Sequence, residues 1–266
     1  MKGARTRPST LVGQWFGTAW TPTVYGPSSI EYLVVAGGGH GAYNGGGGGA
    51  GGYRNSVVGE LTGGGGSAES ALSVSMGTSY TVTIGAGAST NQGNGSNSVF
   101  GSITSTGGGG GGGDVGGNVF TAGKEGGSGG GGGATVFGGG GAGPRTASPV
   151  QGNVGGNNNG NGGGAGADGP SGGAGRASSI TGTSVTRAVG GAASGGNAGA
   201  ANTGNGGQGN QSNQFGAAGG SGIVIIRYTN TFADLASIGG GLTYSFSNTG
   251  GYKIYTFTAG TGTVSW

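Results

Sequence analysis

The chain has 266 residues, of which 81 are glycine and only 6% are charged, with a formal net charge of +3 and no cysteine. So little charge excludes self-repulsion and a broad basic face as organising forces, and with them a nucleic-acid footprint. Without cysteine no disulfide framework staples the fold, so stability must come from hydrogen bonding, packing or assembly with other chains.

No run reaches the roughly 18 apolar residues of a membrane span, and Met1-Lys2-Gly3-Ala4-Arg5 is not followed by a signal-type apolar core. Membrane insertion and secretory export are therefore not expected. Collagen is excluded because glycine does not recur at every third position and tracts such as 107–113 hold no other residue type.

Residues 1–29 carry Trp15, Phe16 and Trp20 together with Pro8, Pro22 and Pro27 and few glycines. They read as an extended docking arm whose aromatics bury against the body of the protein or against another subunit. From 30 to 228 the pattern is strand, glycine tract, strand. Short β-type runs at 30–36, 80–84, 98–104, 180–186 and 223–228, and again at 252–258, bracket the tracts. Glycine in a regular element costs roughly 0.5–1 kcal/mol relative to alanine. Ordering this many needs an offset, and a disordered linker would need no such brackets.

Leu72, Val74 and Met76 alternate, then Tyr80, Val82 and Ile84 do, with Gly77-Thr78 between them, which predicts a hairpin. Within a tract every backbone N–H and C=O must be satisfied without side chains. Polyglycine-II helices, extended and with three residues per turn, solve this by bonding side by side, provided nothing larger than hydrogen occupies the contacts. Tracts 45–49, 129–133 and 138–141 are expected inside such a lattice, with Asn, Ser, Arg and aromatic residues at the turns. The expected fold is thus mainly β with polyglycine-II helices, a glycine-rich sandwich bracketed by short β-strands with little or no α-helix. Residues 229–266 read as a separate C-terminal β element, with a short helical turn at 232–238. Alternation then runs through Tyr244, Phe246, Tyr252, Ile254, Tyr255, Phe257 and Val264.

Four segments resemble the glycine-rich domain of bacteriophage tail-fibre and adhesin proteins of the marine-phage type. They are Glu31-Tyr32-Leu33-Val34-Val35-Ala36-Gly37-Gly38-Gly39, Ser79-Tyr80-Thr81-Val82-Thr83-Ile84-Gly85-Ala86-Gly87, Gly95-Ser96-Asn97-Ser98-Val99-Phe100-Gly101, and Gly219-Gly220-Ser221-Gly222-Ile223-Val224-Ile225-Ile226-Arg227-Tyr228. The resemblance covers roughly three quarters of the chain. It implies a polyglycine-II sandwich whose distal loops touch the host surface. One departure is that the strand pair usually preceding the first segment comes last here, at 251–264. This predicts that the C-terminal element pairs with the 30–36 strand, in its own chain or a neighbour's.

For chemistry, the run 33–42 with Gly37, Gly39 and Ala42, and Glu60 downstream, mimics a dinucleotide fingerprint. Yet Tyr43-Asn44 and the glycines after them cannot supply the helix N-terminus that it requires. His40 is the sole histidine and reads as a turn residue. The carboxylates Glu31, Glu60, Glu69, Asp114, Glu125, Asp168 and Asp234 show no paired spacing. No enzyme, cofactor or metal is expected. What remains is recognition by large or charged side chains stranded among glycines: Tyr43, Tyr53, Arg54, Phe120, Lys124, Glu125, Phe137, Arg145 and Phe215, with 120–125 and 144–149 as exposed loop tips.

The resulting expectation is a phage virion surface protein, a tail-fibre or tail-tip adhesin binding a host surface glycan or outer-membrane protein. The alternative is a structural capsid- or tail-decorating fibre protein that binds no receptor. Either would dock other virion proteins through 1–29 and 243–266, and a homotrimer would suit a fibre.

Overall fold

A computed structural model of the protein describes residues 25–116, 119–134, 141–170 and 173–266. Trp15, Phe16, Trp20 and Phe137 fall outside the described residues, as does all but the last five residues of the 1–29 arm. The strands are β1 (Ser29–Val35), β2 (Tyr53–Asn55), β3 (Leu72–Ser73), β4 (Tyr80–Thr83), β5 (Ser98–Phe100), β6 (Ile103–Ser105), β7 (Arg176–Ser178), β8 (Val185–Arg187), β9 (Ile223–Thr229), β10 (Ser237–Ile238), β11 (Leu242–Thr249) and β12 (Tyr252–Ser265). The described residues hold no α-helix, only a 3-10 turn at Gly63–Gly65. The fold is therefore nearly all β, as the sequence predicts.

One antiparallel sheet runs β2-β1-β9-β12-β4-β5-β6, with β3 paired to β1 and β10 and β11 paired to β12. Side chains alternate across it. On one face Ile30, Tyr32 and Val34 of β1 join Val224, Ile226 and Tyr228 of β9 and Tyr255 and Phe257 of β12, closed off by Val82, Phe100, Val264 and Trp266. On the other, Leu33, Val35, Ile223, Ile225 and Ile254, with Tyr53 of β2, pack against Ala50, Val57, Ala165, Ile180 and Ala188, which the glycine-rich part supplies. The central strands are thus buried on both faces over 32–35 and 223–226, and there the sequence reads as an apolar run in place of an apolar–polar alternation. Each fully buried Val, Ile or Phe contributes about 1.5–3 kcal/mol.

Several local expectations are corrected. Residues 72–76 and 80–84 do not form a hairpin with each other. Ile30 pairs with Leu72, whereas Val82 pairs with Phe100 and Gly262. Gly77, at φ 73°, turns the chain so that each segment reaches a longer partner strand. Run 98–104 is itself a tight hairpin, β5–β6, turning at Gly101 with φ 55°. In 180–186 only the last two residues are strand, because Ile180 leaves the β7–β8 hairpin to enter the core. Residues 232–236 are irregular, and β10 follows them. Finally, β12 does not pair with β1: β9 lies between them, bonded to both.

Outside the strands, backbone bonds follow a three-residue period. The N–H groups of Gly46, Gly49 and Gly52 donate to Gly112, Gly109 and Thr106, those of Gly47 and Ala50 to Gly160 and Gly163, and those of Gly48 and Gly51 to Gly207 and Gly204. The same tract accepts bonds from three further segments, through Gly39 N to Gly49 O, Gly131 N to Gly47 O and Gly191 N to Gly48 O. Residues 45–52 are therefore surrounded by six others. A β-ladder would give a period of two and two neighbours; here successive residues address three different directions. Contact is so close that a Cβ at Gly47 would overlap the carbonyl oxygen of Gly191. Tracts 45–49 and 129–133 are buried throughout, whereas Gly141, the described residue of 138–141, is exposed.

Candidate functional site

The tracts leave the sheet and return to it, so their turns gather at two ends. At the sheet end Gly52 N bonds Thr106 O, Gly51 N bonds Gly204 O and Gly222 N bonds Gly85 O. The far end collects the turns at 43–44, 89–92, 114–116 with 119–120, 157–159, 194–197 and 210–215. These turns are tied to one another or to neighbouring tracts: Tyr43 N donates to Asn91 Oδ1 at 2.9 Å and Asp114 N to Tyr43 O at 3.1 Å. Asn44 N donates to Gln214 O at 3.3 Å and Gly196 N to Gly209 O at 3.1 Å. Asn44, Gln92, Asn158, Asn159 and Asn213 there adopt positive φ, between 44° and 57°. Asparagine tolerates the left-handed region because its short amide bonds the local backbone, whereas Gly116, Gly195 and Gly196 supply it in the neighbouring turns.

This far end presents a pair of aromatic rings. Tyr43 and Phe215 lie 5.2 Å apart, tilted by 52°, and Phe215 is 70% exposed. Val115 and Val119 are exposed, and Asp114 is the one charged residue in these turns. The surface thus offers flat apolar rings surrounded by neutral donors and acceptors.

The other sequence candidates do not converge there. Tyr53 is fully buried between β1 and the body, and Arg54 is fixed to Glu69 by bonds of 2.5–3.1 Å, so neither is presented for contact. Phe120 belongs to a far-end turn but is 9% exposed. Lys124 and Glu125 are exposed on a returning tract, where Lys124 N bonds Gly110 O and Asn94 Nδ2 bonds Glu125 O. The 144–149 loop lies at the sheet end; its Arg145 is half-buried and reaches Gly152 O at 3.4 Å. His40 is not at a turn. It sits within a tract, 6% exposed, with its N–H on Gly93 O and its carbonyl on Gly111 N.

Sequence spacing also missed a cleft beside β1 that brings Glu31, Glu60 and Glu69 together. Glu31 pairs with Arg227 at 2.6 Å, Glu69 with Arg54 and the Tyr32 hydroxyl, and Glu60 accepts bonds from Ser179 and Asn55. Burial alone would raise the Glu60 pKa, but hydrogen bonds from Ser178, Ser179 and Asn55 outweigh it and bring the group below its ordinary value. These carboxylates tie the 56–71 segment and the β7–β8 hairpin to the sheet. The dinucleotide-like run is equally committed, because the N–H groups of residues 37–42 all donate to carbonyls of the body.

No curated protein and no solved structure matches the chain. A family model described as a glycine-rich domain matches residues 12–229, ending where β9 ends and leaving out the β10–β12 strands that complete the sheet. With most of its length matched, the chain belongs to the glycine-rich domain family.

Proposed function

We propose that the protein is a bacteriophage virion surface protein, a tail-fibre or tail-tip adhesin that meets the host through the turns at the far end of the glycine body. The resemblance of the four segments to phage adhesins motivates the phage assignment. The observation that carries display is the six-neighbour bonding around residues 45–52. Its three-residue period is the one polyglycine-II helices require, and such a lattice holds many turns at fixed positions, which lowers the ordering cost of binding. Tyr43 and Phe215, surrounded by asparagine and glutamine, suit a neutral surface glycan: rings stack on sugar faces and amides bond hydroxyls.

The test is adsorption of fluorescently labelled protein to a panel of Gram-negative bacteria. Wild type should label at least one strain, and the Tyr43→Ser/Phe215→Ser double variant should lose the labelling while keeping its unfolding midpoint. Labelling that survives the double variant removes these turns from the contact.

A specific observation favours a second reading, a structural decorating protein. Among the described residues β11 pairs only with β12, exposes seven of its eight residues including Tyr244 and Phe246, and has no charge to discourage pairing with another chain. Absence of adsorption, together with binding to a virion protein through residues 1–29 or 243–266, would select it.

A further inference from the structure

The β7–β8 hairpin places two arginines where their charges oppose each other. Its register sets Arg176 directly across from Arg187. Like charges in that relation destabilise a strand pair. Arg187 is moreover 7% exposed, and its Nη1 is buried without a hydrogen-bond partner among the described residues. Arg176 Nε is in the same condition, and the buried hydroxyl of Tyr53 lies close to both, with the Ser178 side chain beside it. Both guanidinium groups lie within electrostatic reach of that hydroxyl.

Three other enclosed cations are matched with carboxylates: Arg54 with Glu69, Arg227 with Glu31, Lys253 with Asp234. Neither Arg176 nor Arg187 is in an ion pair among the described residues. The carboxylate nearest in effect, Glu60, is engaged by Ser179 and Asn55. Guanidinium groups stay charged at any physiological pH, so two of them at an enclosed site call for a counter-charge.

We propose that Arg176, Arg187 and the Tyr53 hydroxyl form a binding site for a small tetrahedral oxyanion, inorganic phosphate or sulfate, which fastens the β7–β8 hairpin to β2. The donor set suits this class. Guanidinium forks give paired N–H bonds to adjacent oxygens, the phenol supplies a further donor, and a dianion balances both charges where chloride balances one. The enclosure of Arg187 selects a free ion over an anionic group on a polymer.

Thermal unfolding of the full chain in millimolar sodium sulfate or phosphate, against sodium chloride at matched ionic strength, tests the site. In wild type the oxyanions should raise the midpoint saturably, by about 3 °C, over chloride. Inorganic phosphate should show ³¹P line broadening in proportion to protein. Arg176→Gln, at the less buried arginine, and Tyr53→Phe, which keeps the ring, should each weaken both responses several-fold, and Arg187→Met should abolish them. Equal midpoints in sulfate and chloride, or an oxyanion response undiminished in Arg176→Gln and Tyr53→Phe, would overturn the proposal.

Discussion

The sheet and the glycine body achieve close packing by opposite means. In the sheet, β1, β9 and β12 interlock through Ile, Val, Tyr and Phe side chains, and the core is specified by which shapes fill it. In the body, segments approach until their backbones touch, and specificity comes from what is missing: a Cβ at Gly47 or at Gly48 would strike a neighbouring carbonyl. Alanine occurs where the 45–52 tract turns a face to the sheet: Ala50 packs against Leu33 and Val35. A core of side chains tolerates exchange of similar volumes, whereas a core of backbones tolerates none.

That contrast is most directly broken by the smallest possible mutation. Gly47→Ala should cost more than about 4 kcal/mol or prevent folding, because the obstacle is backbone on a neighbouring tract that is itself bonded on several sides. Gly59→Ala, where the added methyl meets nothing within 4 Å, should cost only about 1 kcal/mol for its φ of 83°. Equal denaturant midpoints for the two variants would sink the backbone-contact account. Amide exchange sharpens it further: residues 46–52 should be protected as strongly as the amides of β9, and free-peptide rates there would remove the rigid platform.

On the sheet side, Phe257→Ala empties a fully buried position and should cost about 3–5 kcal/mol by equilibrium unfolding. A smaller effect is expected from Glu60. Its folded pKa lies below the ordinary 4.5, so its contribution is present above the unfolded value and fades as pH falls through the folded one. Glu60→Gln should therefore flatten the loss of stability from about pH 5 downward, while leaving the shape of the profile near neutrality unchanged. A profile parallel to wild type throughout the acid range would show that those hydrogen bonds do not discriminate the charged form. The smallest stability effect belongs to Phe215→Ala at the far end, under about 1 kcal/mol for loss of one exposed ring contact. A larger loss would mean that Phe215 supports the body instead of being displayed by it.

Strand identity was written locally. The apolar runs at 30–36, 80–84 and 223–228 become β1, β4 and β9 within a residue or two, because β-branched and aromatic residues suit a pleated, buried strand wherever it pairs. The glycine tracts likewise announced that backbone must meet backbone. The far-end site was half legible: Tyr43 and Phe215 were visible as rings among glycines. Their partnership across 172 positions was not, since it depends on which tract returns beside which. Tyr53 and Arg54 looked identical to them in sequence yet belong to β2, one ring in the core and one guanidinium on Glu69.

What the residue order determined by itself is the alphabet of elements: strands where side chains are bulky and branched, close-contact tracts where they are absent, and turns where asparagine and aromatics interrupt the glycine. Partners were a different matter. That β9 separates β1 from β12, that β3 and β4 part company across Gly77, and that Glu31, Glu60 and Glu69 share a cleft emerged only from the tertiary structure. The physical reason lies in glycine itself, which carries no side chain to encode a preferred neighbour. Three bonding directions repeated along each tract accept any other tract of the same kind, and the choice is made globally by the side-chain core at one end.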